Sequence, residues 1–197
     1  MKFTLLRRTS ITVVCATTAL ALAACTGGGR DPAPSPSISS SIPSRTPTPS
    51  PPPPTVDPAV AEAEAAVLEA YRGYWDGIVA SFADPAQAQS PALAENSDDT
   101  ALTDAQSALI QLERNGIHLV GAPTLTPKVT GLELNGAPTA TIVDCVDASD
   151  WQPVFTSSGE SAAAPDQPTR LTYEVTAFHP EDRWLIRTVT VHRDQPC

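Results

Sequence analysis

Arg170-Leu171-Thr172-Tyr173-Glu174-Val175-Thr176-Ala177-Phe178 is the stretch that decides the fold, with Trp184-Leu185-Ile186-Arg187-Thr188-Val189-Thr190-Val191-His192 following after His179-Pro180-Glu181-Asp182. In the first run Leu171, Tyr173, Val175 and Ala177 share one face and Thr172, Glu174 and Thr176 the other; in the second, Leu185, Val189 and Val191 oppose Thr188, Thr190 and His192. Successive side chains of a strand point to opposite faces, so each run has one apolar and one polar side. Strands with one wet face belong to antiparallel sheet. The Pro-Glu-Asp cluster between them is a turn signal, and the pair therefore reads as neighbouring strands.

The same texture extends upstream. Residues 117–120, 128–134, 139–147 and 152–156 are short runs rich in Val, Ile, Thr and aromatics, separated by Gly121, Gly131, Asn135-Gly136 and Ser157-Ser158-Gly159. Before them the period changes. Asp57 is a good N-cap and Pro58 is suited to the first helical position. Val60, Val67, Leu68, Tyr71, Trp75, Ile78, Val79 and Phe82 then recur at helical spacing, with Glu62, Glu69, Arg72 and Asp76 on the other side, until Asp84-Pro85. Residues 86–99 are polar and weakly periodic, room for a short helix within a loop. A further helix is expected over 104–115, with Thr103 and Gln106 in capping-box register and Gly116 as its stop. Helices first and hairpins after define an α+β domain: a long N-terminal helix and one or two more on a curved, mostly antiparallel sheet of about five to six strands. The domain spans residues 57–197, enough for one core.

The preceding residues have a different character. Lys2, Arg7 and Arg8 lead into a short apolar run, residues 11–24, which ends in Leu22-Ala23-Ala24-Cys25. Crossing roughly 30 Å of hydrocarbon takes about 20 apolar residues, so the run reads as a removable export signal over residues 1–24. Leu-Ala-Ala-Cys resembles the lipobox of bacterial lipoproteins. That resemblance implies a diacylglyceryl group on Cys25 and residence on the extracytoplasmic face of the cell membrane, in the cell-wall space. Residues 25–56 are dominated by Pro, Ser, Thr and Gly, including four consecutive prolines from Pro51. They are expected to form a disordered tether of polyproline II character, about 3.1 Å per residue.

Charge narrows the partners. Three of the twelve basic residues and none of the 22 acidic ones precede Cys25, so the exported chain carries nine against 22, a net charge of −13. Nucleic acid is excluded as a partner, because phosphate binding needs Lys and Arg. Anionic headgroups repel such a chain as well, which leaves the two acyl chains at Cys25 to hold it on the membrane. Of the four cysteines, Cys15 leaves with the signal and Cys25 takes lipid. Cys145 and Cys197 remain, and an even remainder in an exported chain implies a disulfide.

No G-x-S-x-G, HExxH, Walker or dinucleotide motif occurs, and His118, His179 and His192 lack zinc spacing. Asp144, Asp147 and Asp150 crowd together but lack the EF-hand pattern. No cofactor, metal or catalytic residue is assigned. The order of elements resembles the cone-shaped superfamily of nuclear transport factor two, ketosteroid isomerase and polyketide cyclases. More narrowly, Ala-Tyr-Arg-Gly-Tyr-Trp from Ala70, Asp144-Cys145-Val146-Asp147 with Ser149 and Trp151, Asp182-Arg183-Trp184 and Cys197 resemble secreted lipoproteins of high-GC Gram-positive bacteria. The wider resemblance implies a helix lying across the sheet and a pocket for an apolar ligand, roofed by Tyr71 and Trp75 with Asp144 or Asp147 as the nearest acid. The expected role is non-catalytic binding of a small apolar ligand or an envelope protein. The alternative is an isomerase or cyclase-like enzyme with a pocket carboxylate as base and a tyrosine as donor.

Overall fold

The computed structural model describes residues 57–197; the signal, Cys25 and the tether lie outside the described residues. The domain is α+β. Helix α1 (Pro58–Ala83) is followed by α2 (Pro91–Asn96) and α3 (Asp99–Asn115), and then by six strands: β1 (Ile117–Gly121), β2 (Lys128–Glu133), β3 (Thr139–Asp147), β4 (Trp151–Phe155), β5 (Arg170–Phe178) and β6 (Leu185–Pro196). Asp57 caps α1 by accepting the Ala59 N–H at 2.9 Å, and the helix ends just before Asp84-Pro85. Gly77 lets α2 press onto α1, since a Cβ there would run into the Leu93 backbone.

Helix α3 starts five residues earlier than its periodicity suggests. Asp98 is the cap, accepting the Asp99 N–H at 2.7 Å, and the Thr103 hydroxyl donates back to the Asp99 carbonyl at 3.1 Å. The first turn holds only Ala101 and Leu102 as apolar residues, packed on the core but too few and too close together to set a helical period, so the cap at Asp98 marks the true start. Gly116, at φ 62°, closes the other end in the left-handed conformation that glycine tolerates.

All strand pairs are antiparallel, divided into a four-stranded sheet of order β2-β3-β5-β6 and a two-stranded sheet β1-β4. Strand β3 pairs along its whole length with β5, Thr139 opposite Phe178 and Asp147 opposite Arg170, while β4 pairs with β1. Pro153 lacks an N–H, which suits β4 to a strand with an unpaired side. A backbone bridge between Thr124 and Asp147 fastens the connection between β1 and β2 to the end of β3. In β6 a register shift lets both Ile186, opposite Ala177, and Val189, opposite Val175, face the core.

Helix α1 packs across the sheet. Val67, Tyr71, Tyr74, Trp75, Ile78 and Phe82 meet Ile142, Val146, Val175, Ala177 and Ile186 in one buried cluster. On the opposite, solvated face, Cys145 of β3 is bonded to Cys197 in the tail, with Cα atoms 5.8 Å apart. Among the described residues, no helix is long and apolar enough to cross a membrane.

Candidate functional site

The middle of the helix–sheet interface is filled. Tyr71 is 0% exposed and Asp144 is 1% exposed, and the Tyr71 hydroxyl donates to Asp144 Oδ2 at 2.9 Å. The other carboxylate oxygen accepts the Thr126 N–H at 2.7 Å and the Thr126 hydroxyl at 3.3 Å. Both carboxylate oxygens of Asp144 therefore have donors, as a buried polar group requires. Burial, and next the charge of Asp144, push the Tyr71 phenol far above its ordinary range. Trp75 is walled in by rings: Tyr71, Tyr74, Trp151 and Tyr173 all lie within 6.4 Å between centroids. The indole N–H groups of Trp75 and Trp151 are buried and make no hydrogen bond among the described residues. Both indoles sit among other aromatic rings.

Of the four residues expected around a pocket, Tyr71, Trp75 and Asp144 thus come together as packed interior, and Asp147 does not join them. Three positions apart on one strand, Asp144 and Asp147 point to opposite faces. Asp147 ends β3, accepts the Ser149 N–H at 2.9 Å and lies 3.7 Å from the Arg170 guanidinium. The Ser149 hydroxyl and backbone N–H hold its carboxyl below the usual range. It is a turn cap. Among the described residues, no group of three or more His, Cys, Asp or Glu side chains is placed to hold a metal.

Open space lies at the two ends of the sheet, and neither Tyr71, Trp75, Asp144 nor Asp147 lines it. Beside Val146 near the end of β3 and Leu171 near the start of β5, a cleft of about 270 Å³ lies between residues of the two sheets. Leu119, Val146, Trp151, Leu171 and Tyr173 form its walls, Ala163, Ala164 and Pro168 of the loop 156–169 lie over it, and Arg193 stands at its rim. Burial raises the Tyr173 phenol, and the positive charge of Arg193 opposes that rise. This is an apolar slot with one cation at its mouth. Alternation places Tyr173 on the apolar face of β5, but Trp151, Arg193 and the loop come from segments whose approach depends on the division of the sheets.

At the opposite end, beyond Pro138 and His179, a second cleft of about 610 Å³ runs along the first half of α1. Ala59, Ala63, Ala66 and Ala70 line the helix side, and Leu134, Pro138 and Trp184 the sheet side. His179 packs edge-on against Trp184, with centroids 5.2 Å apart. Glu62, Glu69, Glu95 and Asp182 stand around the cleft with Arg183. None of these four acids forms an ion pair among the described residues.

No family model matches this chain, and no curated protein matches it. Among solved structures, the intermembrane-space region of the chloroplast protein ARC6 gives a TM-score of 0.37 at 14% identity, over 70% of this chain and 98% of that one. A de novo designed β-sheet protein gives 0.29 at 17% identity, over 64% and 87%. At such scores neither neighbour bears on what this chain does.

Proposed function

We propose that this chain is an exported lipoprotein, held on the outer face of the cell membrane through Cys25, whose folded domain is a non-catalytic binding module. The cleft between the two sheets takes a small apolar molecule, with Arg193 at its mouth favouring an acidic or electron-rich end. The observation that carries the non-catalytic reading is the state of Asp144: a base must reach a substrate proton, whereas this carboxylate is spent on Tyr71 and Thr126 inside packed side chains. The enzymatic reading draws on the same 2.9 Å contact between Tyr71 and Asp144, but neither side chain lines either of the two clefts described above among the described residues. The Cys145–Cys197 bridge supports export, since such bonds persist in oxidising compartments. The Leu-Ala-Ala-Cys box supports the anchor.

Two measurements test the proposal. Cys25→Ala should move the protein from the detergent phase to the aqueous phase of the source cells; unchanged partitioning would remove the anchor. Aminoanthracene, a flat apolar fluorophore, should brighten on binding, and Ala164→Trp should abolish the signal by filling the slot. Undiminished fluorescence in that variant would rule out the cleft as the binding site.

A further inference from the structure

We infer that the acid-lined cleft along the first half of α1 seats a basic, amphipathic segment of a partner protein: an extended or helical stretch with cationic side chains on either side of an apolar one. This site is separate from the apolar slot, at the far end of β3 and β5.

Three features of the cleft lead to that occupant. Its floor is apolar and thin. Ala59, Ala63, Ala66 and Ala70 fall on one face of α1, so nothing longer than a methyl group stands between an incoming chain and the helix backbone. Across from them are Trp184 and Leu134, the latter 36% exposed, an apolar anchor site left open to water. Its charge is then one-sided: Glu62, Glu69, Glu95 and Asp182 against Arg183, with none of the four acids in an ion pair among the described residues. An apolar centre inside a polar, charged rim is the layout of a protein interface, and complementary charge would set the partner and speed its approach.

Geometry separates a polypeptide from a small cation. Glu62 and Glu69 are seven residues apart, which along a helix is about 10 Å. They edge a groove and do not converge, and no three acids gather as metal ligands among the described residues. A bound ion would meet one or two carboxylates; a segment with cationic side chains spaced along it would meet all four. The volume of about 610 Å³ holds several residues of such a segment.

The test uses the full chain in uncharged phosphatidylcholine nanodiscs, with empty discs as the blank. The probe is a fluorescein-labelled peptide of alternating lysine and leucine, followed by anisotropy. Binding is expected, weakening as salt rises. The triple variant Glu62→Gln/Glu69→Gln/Asp182→Asn should lose about tenfold in affinity, each exposed charge contributing modestly. The matched control Glu113→Gln/Asp150→Asn/Glu160→Gln removes the same charge elsewhere and should lose less than about threefold. Equal losses in the two triples would overturn the proposal, reducing the effect to general attraction by an acidic surface. Leu134→Ser should weaken the lysine–leucine peptide and leave a lysine–glycine peptide unchanged. If the lysine–glycine peptide binds the unaltered protein as tightly as the lysine–leucine one, the apolar anchor is refuted. A large gain in affinity on deleting residues 26–55 would also overturn the proposal, making the chain's own tether the occupant.

Discussion

The two ends of one sheet have been left in opposite chemical states. Where β3 and β5 meet the loop 156–169, the space is a narrow apolar slot with a single cation at its mouth; where they meet the turns at Pro138 and His179, it is a broad cleft lined by acids. The same two strands serve both, so the difference comes from what covers them. Helix α1 lays alanines over one end, at positions 59, 63, 66 and 70, and aromatics over the middle, at Tyr71, Tyr74, Trp75 and Phe82. Large side chains fill the interface and exclude water, while small ones leave a groove that charged neighbours can edge. A change in side-chain size halfway along one helix therefore sets where the domain is solid and where it is open.

If the aromatic plug insulates the ends, disturbing one should leave the other alone. The sharpest disturbance is loss of the disulfide, which ties the tail after β6 to β3 beside Arg170, whose guanidinium lies 3.4 Å from Cys145 Sγ. The bridged residues are 52 apart in sequence, and on the chain-entropy account closing such a loop stabilises by about 4 kcal/mol. Cys145→Ser/Cys197→Ser should lower the urea midpoint accordingly. Hydrogen exchange should quicken at Leu171, Tyr173 and Arg193 well before it does at Ala140 or Ala177. Equal acceleration at both ends would break the contrast drawn above.

A second effect is set by pH. All three tyrosines of the chain are pushed above their ordinary range, each mainly by burial. Because the folded-state values are raised, the folded protein keeps its phenol protons where the unfolded chain, near pH 10, begins to lose them. Their contribution is full below about pH 10 and is lost as pH rises through the folded values. Little tyrosinate absorbance should therefore develop near pH 10, and most should come with alkaline unfolding. Tyr173, which lines the slot, is the phenol reachable from solvent. Any early increment should vanish in Tyr173→Phe, and an early increment that survives that change would mean the plug is leaky.

How much of this could be read from the chain follows the range of the forces involved. Residues 139–147 and 170–178 are bounded in the structure as their alternation places them, and Asp57-Pro58 starts α1, because period and cap are local properties. The start of α3 at Asp99 was hidden because the adjacent pair Ala101 and Leu102 sets no helical period by itself. The split of six strands into two sheets was hidden too, although Pro153 stood in plain view as a mark of an edge. The site residues divide in the same way. Tyr71 touches both Asp144 and Trp75, yet whether these three enclose a hollow depends on rings from β4 and β5 that arrive from far along the chain. Asp147 was separable by parity alone, three positions from Asp144 on one strand.

The smallest expected effect sharpens the comparison at the acidic end. Asp57 accepts the Ala59 N–H, one of the four amides that a helix start leaves without an intrahelical acceptor. Asp57→Ala should cost about 1 kcal/mol, the typical loss on replacing a cap by alanine. The first turn has no fully buried residue, as burial along α1 begins at Val67, so fraying of this turn need not carry the core with it. Exchange should quicken at Ala59 to Glu62 while the aromatic half of the helix keeps its protection. Since Ala59 and Glu62 line one end of the acidic cleft, the lysine–leucine peptide should bind Asp57→Ala a few-fold more weakly, and aminoanthracene binding in the slot should not change. A fall in both would mean that α1 transmits disorder along its length and that the aromatic plug does not isolate the two ends.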